Sequence, residues 1–202
     1  MERINAVTFA PFCARGTFEK EETRQSLKLM KEKTGANYVI FAPNGVQKTA
    51  FSENIDYRTK RNVSDEELTA MIAYAKQLGL KVALKPTANC EDGTWRAHIN
   101  FFDEDVVCEP KWSNWFASYR AFQEHYARLA QQCGVDLFIA GCEMVQTERR
   151  EAEWREVIAA IRRRYDGLVS YNTDKYQEHN VKWWDACLLY TSPSPRDMRR
   201  SR

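Results

Sequence analysis

The sequence has 202 residues, of which 44% are apolar and 12% aromatic. This composition suits one folded domain and argues against wholesale disorder. Its 30 basic and 28 acidic residues give a formal charge of +2, so charge gives no reason to expect a nucleic acid or an anionic membrane surface as partner. No apolar run approaches about 18 residues, so we expect no membrane-spanning helix.

The amino terminus and the cysteines bear on the cellular compartment. The first residues lead directly into an apolar stretch, INAVTFAPF, without the basic segment and long apolar core of a signal peptide. Six cysteines are scattered along the chain without a C-x-x-C pair, which disfavours a zinc site and favours free thiols. We therefore expect a cytoplasmic protein that has neither a metal nor a cofactor.

Strand-like apolar runs and helix-like segments alternate along the chain. In order, the pattern predicts strand 6–12, helix 19–35, strand 37–43, helix 64–79, strand 81–87, helix 112–134, strand 135–141, helix 150–167, strand 168–173 and the start of a sixth strand at 181–187. A glycine ends each helix, and Ser64 with Glu67 has the spacing of a capping box. Because each crossover contains a helix, we expect the strands to pair in parallel.

Two architectures fit this alternation: a doubly wound sheet and a (β/α)8 TIM barrel. A dinucleotide-binding sheet would need a glycine-rich turn after its first strand, and FAPFCARGTF holds a single glycine. The sequence therefore favours the barrel. About five and a half βα units are present, whereas a complete barrel usually takes about 250 residues. We expect residues 1–187 to form the amino-terminal part of such a barrel.

The last segment, LLYTSPSPRDMRRSR, breaks the alternation. Residues 188–202 contain alternating serine and proline residues and a basic end, and they show no helical or strand periodicity. They resemble the adapter read-through found at the ends of metagenomic gene predictions. We expect them not to be native sequence; a genuine disordered tail is the alternative.

Candidate functional side chains follow the carboxyl ends of the predicted strands, where barrel enzymes keep their chemistry. A long loop, 87–112, also follows the third strand, and loops of this length inside a domain are usually functional. Its aromatic rings could stack on sugar faces, while its polar groups could bind hydroxyls. The candidate substrate-binding residues are Lys85, Trp95, Arg96, His98, Asn100, Trp112, Cys142 and Asn172.

Glu143 is the candidate for acid–base chemistry because it closes the apolar run VDLFIAGC. A carboxyl group flanked by apolar residues should favour its protonated form. That property suits a general acid that protonates a glycosidic oxygen near neutral pH. The alternative is a structural carboxylate that pairs with an arginine such as Arg149 or Arg150.

Several segments in a fixed order resemble glycoside hydrolase family 113. They are APFCARGTF, GANYVIFAP, GLKVALKPT with a downstream tryptophan, GVDLFIAGCEM, WREVIAAIRRRYDG, and SYNT followed by VKWWDAC. The resemblance covers about residues 4–187. Members are clan A (β/α)8 enzymes that include retaining endo-β-1,4-mannanases. The resemblance implies an oligosaccharide or polysaccharide substrate, and it implies that Glu143 is the catalytic acid/base.

The chain departs from the clan at two points. Clan members usually have an asparagine before the acid/base, where it binds the sugar 2-hydroxyl; this chain has Cys142, a weak hydrogen-bonding group. Retaining hydrolysis also needs a second carboxylate about 5–5.5 Å away. In the clan that nucleophile ends the seventh strand, which this chain does not reach, so we expect the chain as written to be inactive.

Two other functions remain open on the sequence. A sugar-binding barrel without catalysis would keep the aromatic and polar cleft and lack the second carboxylate. A lysine-dependent aldolase would use Lys85, at the end of the third predicted strand, to form a Schiff base.

Overall fold

The computed structural model describes residues 3–187; the predicted non-native tail, 188–202, lies outside the described residues. The strands are β1 (Ala6–Thr8), β2 (Tyr38–Phe41), β3 (Asn44–Gln47), β4 (Lys81–Leu84), β5 (Thr87–Cys90), β6 (Leu137–Cys142) and β7 (Leu168–Asn172). The helices are α1 (Glu21–Thr34), α2 (Asp65–Gln77), α3 (Trp112–Gln132) and α4 (Glu151–Arg162). Within residues 3–187, no helix is both long and apolar enough to cross a bilayer.

Five strands form one parallel sheet in the order β1-β2-β4-β6-β7. The order advances in one direction along the chain, and one helix lies in each crossover. A doubly wound sheet would instead reverse its order at an inner strand. The architecture is therefore part of a (β/α)8 barrel, which confirms the predicted fold class.

The second and third predicted strands continue beyond their prolines. β3 follows β2 across Pro43, β5 follows β4 across Pro86, and the two continuations pair in parallel as a separate two-stranded sheet. A proline has no N–H for a ladder, which accounts for the interruption. The continuation brings Asn44 beside Asn89, whose Nδ2 donates to Oδ1 of Asn44 over 2.7 Å.

Large aromatic side chains fill the core beneath the ends of β6 and β7. Trp115 stacks on Tyr119 with ring centroids 4.8 Å apart, and Trp154 stacks on Trp183 at 4.7 Å. All four side chains are fully buried. Such pairs add about 0.5–1.5 kcal/mol each beyond the burial of their area, so they form a rigid support for the strand ends above them.

The helix ends follow the predicted signals with one exception. Ser64 and Glu67 form the predicted capping box at the start of α2. Left-handed glycines follow the first three helices: Gly35, Gly79 and Gly134. The predicted end of α4 at Gly167 is wrong, because the helix ends at Arg162. The chain then turns so that Tyr165 is buried and its hydroxyl donates to the carbonyl of Val135 over 2.8 Å.

The prediction of a sixth strand at 181–187 is wrong. The segment contains a short 3-10 turn, Trp184–Ala186, whose backbone bonds are local: the N–H of Ala186 donates to the carbonyl of Trp183 over 3.0 Å. The apolar side chains have another use, since Trp183 packs against Trp154 of α4. The apolar pattern therefore reflects packing on a helix and not a strand ladder.

The first strand is shorter and more exposed than predicted. β1 ends at Thr8, and Ala10 and Phe12 after it have positive φ angles. Within the described residues β1 pairs only with β2. Both end residues of the strand, Ala6 and Thr8, are exposed, so the predicted burial of this strand is not present in residues 3–187.

Candidate active site

A β-bulge shapes the end of β6. Every residue of this strand is buried, and its pairing with β7 shifts register between Ile139 and Cys142. Gly141 lies inside the shift with φ of 156°, and a Cβ there would come within 2.5 Å of the Tyr119 hydroxyl oxygen. That hydroxyl donates to the carbonyl of Ala140 over 2.8 Å. Bulges at strand ends redirect the side chain that follows.

The residue that follows the bulge is Glu143, and its backbone is left-handed with φ of 54°. This conformation costs a residue other than glycine about 1–3 kcal/mol and is concentrated at functional sites. The N–H of Glu143 donates to the carbonyl of Asn172 over 2.8 Å. The end of β7 therefore holds the strained residue in place.

The Glu143 carboxylate lies between two nitrogen donors. Nη2 of Arg96 donates to its Oε2 over 2.7 Å, and Nε1 of Trp95 donates to the same oxygen over 3.4 Å. The Glu143 side chain is 32% exposed. The apolar setting expected from the sequence is therefore wrong: the group is partly exposed and paired with a cation.

The arginine partner is also not one of the two proposed from the sequence. Arg149 and Arg150 both pair with Asp103, a residue of the loop between β5 and α3. Nη2 of Arg149 also donates to Oδ1 of Asn100 over 2.8 Å. These arginines tie the loop before α3 to the loop after β6, which places Arg96 and Trp95 over Glu143.

Arg96 is held almost entirely by the protein. Nε donates to the carbonyl of Cys142 over 2.7 Å, and Nη1 donates to Oδ1 of Asn89 over 2.9 Å. Nη2 lies 3.6 Å from Sγ of Cys142 in addition to its bond with Glu143. Four of five guanidinium N–H groups are therefore committed, so the geometry assigns Arg96 to the support of Glu143 and not to the predicted sugar contact.

Asn89 is a site residue that the sequence interpretation missed. It lies on β5, in the stretch that the sequence pattern assigns to the long loop 87–112. Asn44, Asn89 and Arg96 form a chain of hydrogen bonds that ends at Glu143. The available signal was an asparagine shortly after the proline of each of two neighbouring strands, one residue after Pro43 and three residues after Pro86.

Cys142 and Asn172 are neighbours on β6 and β7. Cys142 is buried, and its Sγ lies 3.7 Å from Oδ1 of Asn172. Asn172 is half-buried, and its Nδ2 donates to the carbonyl of Thr173 over 2.9 Å. Of these two predicted residues, Asn172 is the more accessible to a ligand.

Trp95, His98 and Lys85 are the other accessible candidates. Trp95 is 43% exposed, and its ring meets that of His98 edge-on at a centroid distance of 5.8 Å. His98 is exposed, and Asn100 is half-buried. Lys85 lies half-buried just past the end of β4, directly before Pro86.

The predicted sugar contact by Trp112 is wrong. Its side chain is 3% exposed at the start of α3, and the ring of Phe101 meets it edge-on at 4.8 Å. The guanidinium of Arg149 lies over the ring at 5.3 Å. Trp112 is thus a core residue that anchors the loop, and it has no free face for a sugar.

A second carboxyl group, Glu148, lies buried behind the loop that follows Glu143. It is 1% exposed, and this burial raises its pKa to about 7. Hydrogen bonds from the Tyr171 and Thr173 hydroxyls act in the opposite direction. Since the carboxyl group is buried, Glu148 is not available to attack a substrate. Across residues 3–187, no cluster of His, Cys, Asp or Glu side chains could hold a metal ion.

The comparison with known proteins agrees with this geometry. The sequence profile of Glycoside Hydrolase Family 113 matches residues 7–198. Two structures of a GH113 β-1,4-mannanase, one of them a complex, are 54% identical to the chain, cover 93% of it and superpose with a TM-score of 0.91. The GH113 β-mannanase AaManA from Alicyclobacillus acidocaldarius, in complex with ManMIm, is 41% identical, covers 91% and gives a TM-score of 0.85.

The chain matches only part of the length of each of these relatives. The chain spans 60% of the length of the first two structures and 58% of the third. No curated protein sequence matches it. The profile nevertheless covers nearly all of the described residues. The chain belongs to glycoside hydrolase family 113.

Proposed function

We propose that this chain supplies the acid/base half of a retaining β-glycosidase that acts on β-1,4-mannan or a related β-glycan. The observation that carries the proposal is the setting of Glu143. It lies at the carboxyl end of β6, left-handed and partly exposed, with one carboxylate oxygen held by Arg96. Relatives of the same family, two of them structures named β-1,4-mannanase and one named β-mannanase, support the choice of substrate.

In this proposal the two carboxylate oxygens of Glu143 have different tasks. Among the described residues, both hydrogen bonds to the carboxylate go to Oε2. Oε1 is therefore the oxygen that carries the transferred proton. In the first step a second carboxylate attacks the anomeric carbon, the bond from this carbon to the glycosidic oxygen breaks, and Glu143 gives its proton to the departing oxygen. In the second step a water attacks the anomeric carbon, Glu143 takes a proton from this water, and the bond to the second carboxylate breaks.

We assign the second carboxylate to sequence beyond residue 187. It must lie about 5–5.5 Å from the acid/base, and the partners of the Glu143 carboxylate within residues 3–187 are nitrogen donors. The greater length of the relatives supports this assignment. The reaction needs only water and two carboxylates, so no cofactor is part of the proposal.

The substrate contacts are proposed from exposure and position. Trp95 offers an exposed ring beside Glu143 for stacking on an apolar sugar face. His98, Asn172 and Lys85 offer polar groups at the same end of the sheet, and Asn100 keeps its Nδ2 group for a hydroxyl. A cytoplasmic location is also proposed; the six cysteines support it, since all lie within the described residues and all are free.

The test uses two proteins: this chain, and a completed barrel. The completed barrel is this chain through Cys187 followed by the corresponding carboxyl-terminal segment of the 54% identical mannanase. We expect the completed barrel to release reducing sugar from β-1,4-linked mannohexaose and the chain alone to release none. Glu143→Gln should lower the activity of the completed barrel by about 10²–10⁴-fold, the usual contribution of a general acid.

Glu91→Gln is the matched control, because Glu91 forms an exposed ion pair with Arg61 and makes no hydrogen bond to Glu143, Arg96 or Trp95. Turnover by the chain alone that disappears in Glu143→Gln would show that the second carboxylate is already present. Binding of mannohexaose without hydrolysis by the completed barrel would favour the sugar-binding alternative. Borohydride trapping of a carbonyl substrate on Lys85 would favour the aldolase.

A further inference from the structure

The buried carboxyl group of Glu148 is connected to the residue next to Glu143 through one hydroxyl. Oε1 of Glu148 accepts from the Tyr171 hydroxyl over 2.7 Å and from the Thr173 hydroxyl over 2.9 Å. The Tyr171 oxygen in turn accepts from the N–H of Met144 over 3.0 Å. Since the single hydroxyl proton of Tyr171 goes to Glu148, the Met144 amide and the Glu148 carboxyl determine how this hydroxyl is oriented.

This connection holds the backbone directly after Glu143, the residue with the strained conformation. Glu143 has a φ of 54° and follows Gly141, whose φ is 156°. Two hydrogen bonds fix the turn after the bulge: the N–H of Glu143 to the carbonyl of Asn172, and the N–H of Met144 to Tyr171. Release of the second bond would let the turn relax toward an ordinary conformation and rotate the Glu143 carboxylate away from Arg96.

A simple contribution to stability does not account for the carboxyl group of Glu148. Its Oε2 is buried without a hydrogen-bond partner among the described residues, and a buried polar atom in that state destabilises the fold. The loop backbone has separate support, because Nε1 of Trp183 donates to the carbonyl of Glu148 over 3.2 Å and Nε1 of Trp154 donates to the carbonyl of Thr147 over 3.0 Å. The remaining role of the carboxyl group is to orient the hydroxyl of Tyr171.

We propose that Glu148 is a positioning residue for Glu143: through Tyr171 it fixes the backbone at Met144 and thereby the direction of the Glu143 carboxylate. The importance of the carboxylate direction for catalysis rests on the proposed function of Glu143, whereas the positioning of the carboxylate does not. The two can therefore be tested separately, the positioning on the 202-residue chain and the catalytic function on the completed barrel.

The test measures amide hydrogen exchange by NMR in Glu148→Ala and Glu148→Gln. In Glu148→Ala the Met144 amide should exchange about tenfold faster relative to the Val169 amide of the sheet, as expected for the loss of one hydrogen bond. Glu148→Gln keeps an acceptor for Tyr171, so it should restore the original rate within about twofold. The indole N–H resonance of Trp95 should shift in Glu148→Ala and not in Glu148→Gln, because Trp95 reports on the Glu143 carboxylate.

Two further variants keep the test decisive. Tyr171→Phe removes the acceptor of the Met144 amide directly and should reproduce the effect of Glu148→Ala, including when the latter fails to fold. Ile158→Ala weakens the buried face of α4 without touching the network, so it defines the uniform acceleration that plain destabilisation causes.

The exchange rates in these variants either support or overturn the positioning role of Glu148. A Met144 amide that changes in Tyr171→Phe but not in Glu148→Ala would overturn the proposal, and so would uniform acceleration in Glu148→Ala like that of Ile158→Ala. Hydrolysis of β-1,4-linked mannohexaose by the completed barrel is measured in parallel. If the completed barrel hydrolyses no mannohexaose while the exchange pattern is as expected, the proposed function fails and the positioning role stands.

Discussion

Arg96 holds both the Glu143 carboxylate and the strand end that carries it. Its Nη2 donates to Oε2 of Glu143 over 2.7 Å, and its Nε donates to the carbonyl of Cys142 over 2.7 Å. The Arg96 side chain is 14% exposed, so these charge-assisted bonds are partly shielded from water and gain strength. One guanidinium group therefore sets the position of the carboxylate relative to the sheet.

Substitution of Arg96 should reduce catalysis more than substrate binding. In the completed barrel, we expect Arg96→Ala to lower kcat by about 10–100-fold, as misplacement of a reacting group does, with KM nearly unchanged. Arg96→Lys keeps the charge but not the planar fork that joins Glu143 to Cys142, so it should recover only part of the loss. The measurement is the rate of mannohexaose hydrolysis as a function of substrate concentration.

Arg61→Ala is the matched control for this pair of variants. Arg61 forms an ion pair with Glu91 at the surface, where its side chain is 75% exposed, and exposed pairs contribute little. Its kcat and KM should equal those of the unsubstituted protein. A rise in KM without a fall in kcat in Arg96→Ala would restore the direct sugar contact first predicted for Arg96.

Gly141→Ala should destabilise the protein, and the Tyr119 hydroxyl is the nearest of the three groups that the new Cβ would meet. The new Cβ would lie 2.5 Å from the Tyr119 hydroxyl oxygen, at a φ that side chains rarely adopt. We expect the free energy of unfolding to fall by about 2–4 kcal/mol, combining overpacking with backbone strain. Urea denaturation of the chain measures this change.

A double-mutant cycle separates the two causes. Tyr119→Phe removes the oxygen that the Cβ would meet, so Gly141→Ala should cost less in that background. Gly16→Ala gives the cost of a positive φ alone, because Gly16 has a φ of 83° and no atom lies within 4 Å of its added Cβ. If Gly141→Ala costs the same with and without the Tyr119 hydroxyl, the effect comes from backbone strain together with the contacts of the new Cβ to Tyr171 and Trp154.

The buried Glu148 should make stability depend on pH. Its pKa is raised from 4.5 to about 7, chiefly by burial and further by the nearby Asp174. Between these two values the folded chain binds a proton that the unfolded chain has released, so stability falls as the pH rises. Its contribution is fully present below about pH 4.5 and lost above about pH 7. At 1.4 kcal/mol per pKa unit the difference is about 3 kcal/mol.

Glu148→Gln provides the comparison for this pH dependence. The amide does not titrate, so the loss of stability between pH 5 and pH 8 should shrink by about 3 kcal/mol. Urea denaturation at both pH values measures the difference between the two proteins. An unchanged pH dependence would mean that Glu148 is ionised throughout this range in the folded chain.

The order of elements could be predicted because it depends on local signals. Apolar runs, helix periodicity and glycine stops recur in a fixed order, and parallel crossovers leave few topologies. The same reasoning placed Glu143 and Asn172 at the strand ends, since the end of a run marks the end of a strand. The support for Glu143 could not be predicted, because Arg96 meets Asn89 only after β5 continues past Pro86.

The two misjudged tryptophans show a different limit. Trp112 begins α3 and lies on the same face as Trp115 and Phe116. This spacing indicates a buried helix face. The prediction of a sugar contact instead followed the aromatic and polar composition of the loop before the helix. Trp183 lies in a segment with strand-like composition, yet it packs on Trp154. In both cases the apolar character was predicted correctly, but its packing partner is set by tertiary structure.

The contrast between Trp95 and Trp112 separates ligand binding from stability. Trp95→Ala should leave the free energy of unfolding within about 0.5 kcal/mol, because its side chain is 43% exposed. It should weaken mannohexaose binding by about twofold to tenfold, the range for one aromatic contact of 0.5–1.5 kcal/mol.

Trp112→Ala should instead cost about 3–5 kcal/mol of stability, as for other buried tryptophans. Calorimetry and urea denaturation of the chain measure both quantities, with Leu29→Ala on α1 as a control for an exposed apolar side chain. Unchanged affinity in Trp95→Ala would remove Trp95 from the proposed sugar contacts and leave it as a hydrogen-bond partner of Glu143 alone.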